Sequence, residues 1–313
     1  MPDESTDLHI CSECIGEPYL SAQVAKNGST QACSFCEASS VNCIAIEDLA
    51  DRIHQVIENH FYLTSPEPEG FDYHLAREGL WEQPGEPVLD LLQMLAGIDE
   101  EPAQAVYEYL SDTHDAWGKD ALADPQPYDS EAQYEERPIN SYEFADSWAR
   151  FKNEVGSRSR YFNLSARASL DHIFEGIAAL ETKDGDPVIR EVSPDQVFFR
   201  ARKARSLGEL EALLKNLPES LAPPVSNIAR AGRMNATGIS VFYGALDEAP
   251  CLAEIRAPVG SWVAMCGFTP VRNARLLDLG RFKNVFLEGS IFDDEHIEAL
   301  TRLHFLKPVS YTH

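Results

Sequence analysis

The chain has 313 residues, 44% of them hydrophobic and 25% charged, a composition that fits a folded protein of two-domain size and excludes disorder throughout. Fifty-one acids against 26 lysines and arginines give a formal charge of −25, which repels phosphate backbones and anionic lipid and so disfavours nucleic-acid partners outside a local basic patch. No apolar run approaches the about 18 residues of a membrane span, and residues 1–7 are polar and acidic rather than basic and then apolar, so a cytoplasmic, unanchored protein is expected.

Residues 1–45 read as a short, Cys-rich, polar opening with little periodicity. Beyond it Leu49, Ile53, Val56, Ile57 and His60 recur at three- and four-residue spacing behind Glu47 and Asp48, acids that suit the positive end of a helix dipole, and an amphipathic helix is predicted. The Pro/Gly-rich stretch 65–70 ends it. A second helix is predicted over 86–96, entered through Pro87, and a third from Pro102, carrying Ala105, Val106, Tyr109 and Leu110. The acidic stretch 117–138, with three prolines and with Tyr128 and Tyr134 among polar residues, is predicted as an exposed connector.

Helical spacing returns at Phe144, Trp148 and Phe151, and again over 164–180, where Ala168, Ile173, Phe174, Ile177 and Leu180 share a face. Turn residues Lys183 to Asp186 then mark a switch to short β-like segments at 188–189, 197–199, 239–243, 262–268 and 274–277, interrupted by helices over 207–217 and 249–256. The predicted organisation is an α+β multidomain chain: the Cys-rich opening over 1–45, a mainly helical domain over 46–185 and an α+β domain over 186–313.

Five of the seven cysteines lie in the first 43 residues. Cys11 and Cys14, then Cys33 and Cys36, form two Cys-x2-Cys knuckles separated by 18 residues. Each knuckle offers two thiolates on a tight turn, and two knuckles supply the four sulfurs that tetrahedral Zn²⁺ accepts. A closed four-thiolate sphere leaves no position for water, so the expected zinc ribbon is structural, replacing a core that so short a segment cannot build. An iron–sulfur or rubredoxin-like site uses the same ligands. Cys43, Cys251 and Cys266 stand apart, and Cys251 and Cys266, in apolar or strand-like settings, read as buried small hydrophobes.

The segment 231–254 carries the strongest signal for chemistry. Gly232 and Gly238 allow a turn to approach a ligand closely, Arg233 offers a planar fork of donors, and Asn235 adds an amide. A predicted strand ending in Tyr243 and a helix bearing Glu254 follow, so that a cation, an aromatic face and a carboxylate would meet in one cleft. Each has a plainer reading: Arg233 pairing with a surface acid, Asn235 shaping the turn, Tyr243 packed in a core, and Glu254 on a wet helix face with Glu248 as its rival.

This combination resembles the RES domain, a family named for Arg, Glu and Ser. The matching residues are Gly232-Arg233-Met234-Asn235, Gly238, Tyr243 and Ala253-Glu254, and Phe199-Arg200-Ala201-Arg202 is similar to the family's opening aromatic-Arg-x-Arg segment. The likeness spans about residues 195–309. The amino-terminal part resembles the zinc-knuckle and HEPN-type helical regions found ahead of RES domains.

The resemblance implies an ADP-ribosyltransferase-like fold and consumption of NAD⁺ by phosphorolysis, hydrolysis or ADP-ribosyl transfer, in toxins restrained by a helix-turn-helix antitoxin. It further implies that Arg200 and Arg233 hold the pyrophosphate with Asn235, that Tyr243 stacks on a ring, and that Glu254 stabilises the charge developing on the ribose. Arg202 fits the opening position as well as Arg200. The family's Ser has no counterpart before His313, and an incomplete domain is the corresponding expectation.

Two other readings stand beside it. Arg167-x4-His172 fits the loose Arg-x(4–6)-His pattern of HEPN ribonucleases, in which the histidine acts as general acid–base. A catalytically inactive interaction module is the other.

Overall fold

The computed structural model of the chain describes residues 8–68, 70, 72–114, 126–155, 163–232, 235 and 237–309. They fall into two compact units: Met1–Glu175 with Gly280–His313, and Gly176–Leu279.

The first unit opens with β1 (His9–Cys11), α1 (Pro18–Asn27), β2 (Ser29–Gln31) and β3 (Val41–Ala45). The strands form an antiparallel sheet in the order β1-β3-β2, with Cys11 opposite Cys43. Pro18 presets the first turn of α1, and the Glu17 carboxylate accepts the Leu20 N–H at 2.6 Å, satisfying a donor that no helical carbonyl can reach.

Next come α2 (Ile46–His60), β4 (Phe61–Leu63), α3 (Asp72–Arg77), β5 (Glu86–Pro87), α4 (Val88–Ala96) and α5 (Glu100–His114). The Cys-rich opening is not a free-standing ribbon. Ile10, Ile15, Leu20 and Val24 are buried in one core with Leu49 and Ile53 of α2, Leu91 and Leu92 of α4, and Val106 and Leu110 of α5. The two parts touch at main-chain level, where Gly16 N–H donates to the Gly97 carbonyl at 2.8 Å and Glu17 N–H to that of Ala96 at 3.0 Å. A Cβ on Gly16 would lie 2.7 Å from the Gly97 oxygen, and Gly97 ends α4 at φ +62°, so glycine is required on both sides of this junction.

The predicted connector is partly built into the fold. Residues 115–125 lie outside the described residues, but β6 (Gln133–Glu136) is the central strand of a second antiparallel sheet, β4-β6-β5. Tyr128 is 1% exposed and Tyr134 5%, both in the same core. Their hydroxyls are matched inside the protein, Tyr128 with His54 Nδ1 at 2.6 Å and Tyr134 with the Pro127 carbonyl, which is how polar surroundings in sequence come to hide buried rings. α6 (Tyr142–Asn153) and α7 (Leu164–Ile173) follow. The predicted helix over 164–180 stops at Ile173, ahead of Gly176 at φ +70°.

In the second unit lie β7 (Ile189–Val192), β8 (Phe198–Ala204), α8 (Leu207–Lys215), α9 (Leu217–Leu221), α10 (Glu248–Ile255), β9 (Trp262–Phe268) and β10 (Ala274–Leu277). β8 and β9 pair antiparallel along their whole length, from Phe198 opposite Phe268 to Ala204 opposite Trp262, and β7 pairs with β10. Leu213 and Leu221, on α8 and α9, cluster with Ala204 and Ala264 of the β8–β9 pair. The Ser206 hydroxyl caps α8 by accepting the Glu209 N–H at 3.2 Å.

The segment 239–243 is not the predicted strand. Just beyond it the chain meets β8 at a single pair, Phe199 with Ala245, whose N–H groups and carbonyls exchange bonds of 2.7 and 2.8 Å. Upstream of that pair the Ile239 carbonyl accepts from the Asn235 amide at 2.9 Å, so a turn side chain takes the place of a ladder partner.

The chain returns to the first unit with α11 (Asp294–Val309), whose Phe305 stacks on Phe144 of α6 at 6.2 Å between centroids. Arg302 lies 5.5 Å above the Phe144 ring and bonds to Glu298 at 2.6 Å and Glu175 at 3.3 Å. No helix among the described residues is long and apolar enough to cross a membrane.

Candidate functional sites

The four cysteines of the two knuckles converge, with all four Sγ atoms within 4.8 Å of one another. Cys11 and Cys14 are 3.6 Å apart, Cys11 and Cys36 3.8 Å, and Cys14 and Cys33 3.9 Å. Sulfurs at Zn–S bond length on a tetrahedron stand about 3.8 Å apart, so these residues fit a tetrahedral metal of that size. Burial pushes the Cys33 thiol up, but the backbone N–H groups of Phe35 and Cys11 outweigh it and bring the thiol down to about 7. Burial pushes Cys14 the other way, joined by its thiol neighbours. Cys43 is buried against the cluster but is not one of the four; its sulfur faces the Val41 carbonyl at 3.6 Å, and burial together with the neighbouring thiols pushes it up to about 11.

In the second unit, β8 carries Arg200 with its side chain half-buried and its Cζ 5.3 Å from the Phe242 ring centre. Phe242 in turn meets Phe268 of β9 edge-on at 5.1 Å. Arg200 Nη1 is buried and has no hydrogen-bond partner among the described residues. Burial, and then the Arg202 charge, lower the guanidinium pKa. A buried donor left open in this way fits an anionic ligand. Arg202 is exposed and reaches the Ser220 carbonyl at 3.4 Å, which separates two arginines that are equivalent in sequence.

Tyr243, 42% exposed, donates its hydroxyl to Asn235 Oδ1 at 2.6 Å. The same amide donates to the carbonyls of Arg230 at 3.0 Å and Ile239 at 2.9 Å. Asn235 therefore clasps its loop and fixes the tyrosine. Gly232 permits this, because a Cβ there would stand 2.6 Å from both the Tyr243 hydroxyl and Asn235 Oδ1. Glu254 is exposed on α10, which packs along β8 and buries Cys251 one turn earlier; no ion pair joins it to Arg200. Arg233 lies outside the described residues. The structure thus joins Tyr243, Asn235 and Gly232, and ties the Phe242–Ala245 segment to the strand bearing Arg200. Phe242, which sequence reasoning missed, could have been found as the aromatic neighbour of Tyr243.

The ribonuclease pair is not assembled. Arg167 is exposed and pairs with Asp171 at 3.5 Å, while His172 stacks on Phe144 at 4.9 Å. A different histidine group stands in the first unit's interior: His54 stacks on His114 at 3.7 Å and shares a 2.6 Å hydrogen bond with Tyr128. Burial, and then the His114 charge, push the His54 pKa below 6.5 against the pull of Glu58 and Asp51; burial likewise lowers His60. Protons then bind the unfolded chain more readily, so stability is lost as the pH falls from 6.5 through the lowered values. The thermal midpoint is expected to drop between about pH 7 and pH 5, and to drop less in His54→Gln. Equal pH profiles for the two proteins would remove His54 from the account.

Comparison with known proteins gives two family matches. The model for HEPN/RES N-terminal domain 1 matches residues 26–169, and that for the RES domain matches residues 213–308. No curated protein and no solved structure matches the chain. The RES match covers Asn235, Tyr243 and Glu254, and Arg200 precedes it. The chain is a RES domain protein with a HEPN/RES N-terminal region.

Proposed function

We propose that the second unit, which holds the larger part of the RES match, binds NAD⁺ and cleaves its nicotinamide–ribose bond, as a toxin-like enzyme of the ADP-ribosyltransferase-like kind. The RES domain family is associated with NAD⁺-related toxin activity. The observation that carries the reading for this chain is Arg200, a half-buried guanidinium with an unpartnered Nη1 beside the Phe242 ring.

In this reading Arg200 and Arg233 hold the pyrophosphate. Tyr243, fixed by Asn235, presents its ring face to a flat part of the dinucleotide. The bond from ribose C1′ to the pyridinium nitrogen breaks with its electron pair going to nicotinamide, and the Glu254 carboxylate stabilises the positive charge left on the ribose. An oxygen of water, phosphate or a protein side chain then bonds to C1′. Asn235 supports the site as the holder of Tyr243 rather than through direct contact with the dinucleotide, because its carbonyl oxygen and amide are already engaged.

Zn²⁺ held by Cys11, Cys14, Cys33 and Cys36 belongs to the same reading as a structural ion, supported by sulfur spacings that suit it. A neutralising antitoxin protein is the corresponding partner. The test is direct NAD⁺ binding: Arg200→Ala is expected to weaken it about tenfold or more, as loss of a charge-assisted contact does. Unchanged affinity in that variant would refute the assignment of the site.

A further inference from the structure

A cavity of about 490 Å³ opens in the first unit between the α2–β4 junction, the segment following β6, and the early turns of α11. His60, Arg137, Asn140 and His296 give it a polar lining, and Ile139 and Ile297 an apolar one. A second hollow of about 300 Å³ adjoins it, sharing His60, Asn59 and Ile291 and adding Arg52. Two arginines here offset the carboxylates of Glu136 and Asp294, a lining without net formal charge in a chain whose formal charge is −25.

Arg137 is prepared for an anion. Its main-chain N–H donates to the His60 carbonyl at 2.7 Å and its Nε to the Phe61 carbonyl at 2.5 Å, so the guanidinium is anchored before any ligand arrives. Its two Nη groups have no hydrogen-bond or ion-pair partner among the described residues, and they form the half of the fork that binds phosphate or carboxylate oxygens. Across the cavity, Gly289 leaves room for the His296 imidazole, whose Nδ1 lies too close for a Cβ to stand there. The volume falls within the range of about 300–1,000 Å³ typical of small-molecule sites, more than a bare anion needs, and the isoleucines offer a surface for a flat body.

We infer that this cavity binds a small phosphorylated molecule of nucleotide size, with its phosphate on Arg137 and its ring against the apolar wall. The site lies in the first unit, and although residues 289–301 of its lining fall within the RES match, it shares no residue with the proposed NAD⁺ site around Arg200. The probe is AMP, which lacks nicotinamide, titrated calorimetrically into the full chain, with inorganic phosphate as a second arm.

AMP is expected to bind more tightly than phosphate, and Arg137→Ala to weaken it about tenfold or more. Because Arg137 also fastens the α2–β4 junction, Asn140→Asp supplies a second reading. It keeps the oxygen that accepts the Tyr142 N–H at 2.9 Å but adds a negative charge at the cavity, and it should weaken AMP in the same direction. Arg200→Ala should leave AMP affinity unchanged. Absence of AMP binding at millimolar concentration, equal affinity in Arg137→Ala and Asn140→Asp, or loss in Arg200→Ala alone would each overturn the inference.

Discussion

Glu254→Gln is expected to slow nicotinamide release from NAD⁺ about a hundredfold, the scale on which removal of one group aimed at developing charge acts. The substitution keeps the shape of the side chain and removes only its charge. Glu254 is exposed on α10 and carries no ion pair among the described residues, so the thermal midpoint of the variant should match that of the parent. The combination of lost rate with kept stability separates chemistry from folding. Glu248, in the first turn of the same helix, serves as the control, and Glu248→Gln should release nicotinamide at the parental rate. Equal rates for Glu254→Gln and the parent would end the proposed role of that carboxylate.

Removal of the proposed zinc is expected to unfold the amino-terminal part of the protein, with Cys33→Ser or strong chelation lowering the thermal midpoint by roughly 10–20 °C. The effect is large because the cysteine knuckles do not hang from the fold. Ile10 and Ile15 flank the Cys11 knuckle and enter the same core as α2, α4 and α5, so the sulfurs hold one edge of that core in place. Elemental analysis of a chelator-free preparation should find one zinc per chain, and it distinguishes zinc from the iron that the same four thiolates accept. Cys266→Ser, in the other unit, should leave the midpoint unchanged. Less than half an equivalent of metal, with a melt indifferent to chelation, would refute the site.

The sequence was most legible where the physics is local. α10 emerges from the sequence within one residue of its observed ends, the apolar spacing of 49–60 marks α2, and the strands at 262–268 and 274–277 coincide with the structure, because apolar periodicity and turn residues act over a few positions. The four cysteines were equally legible, since a fixed spacing on two turns is itself a geometry.

What remained hidden depends on distant partners. Tyr128 and Tyr134 sit among acids and prolines, and only His54, far earlier in the chain, and β4 explain why they are buried. Nothing local shows that Ile10 and Leu20 share a core with α5. Tyr243 looked like the end of a strand because alternation cannot register that the Ile239 carbonyl already belongs to Asn235. Asn235 was read both as a ligand-binding amide and as a residue that shapes its turn, and the partners that close its loop, Arg230, Ile239 and Tyr243, are visible only once folded. Arg200 and Arg202 are interchangeable as letters, and burial is what separates them.

The return of the chain to its first unit after Leu279 makes the Gly176–Leu279 unit an insertion within another folded body. Ribosomes release the amino end first, so the inserted unit is complete and able to fold while its host still lacks α11, with Phe305 and Arg302 yet to reach Phe144. Released chains truncated near residue 285 should therefore resist protease within 176–279 while the host, without α11, does not.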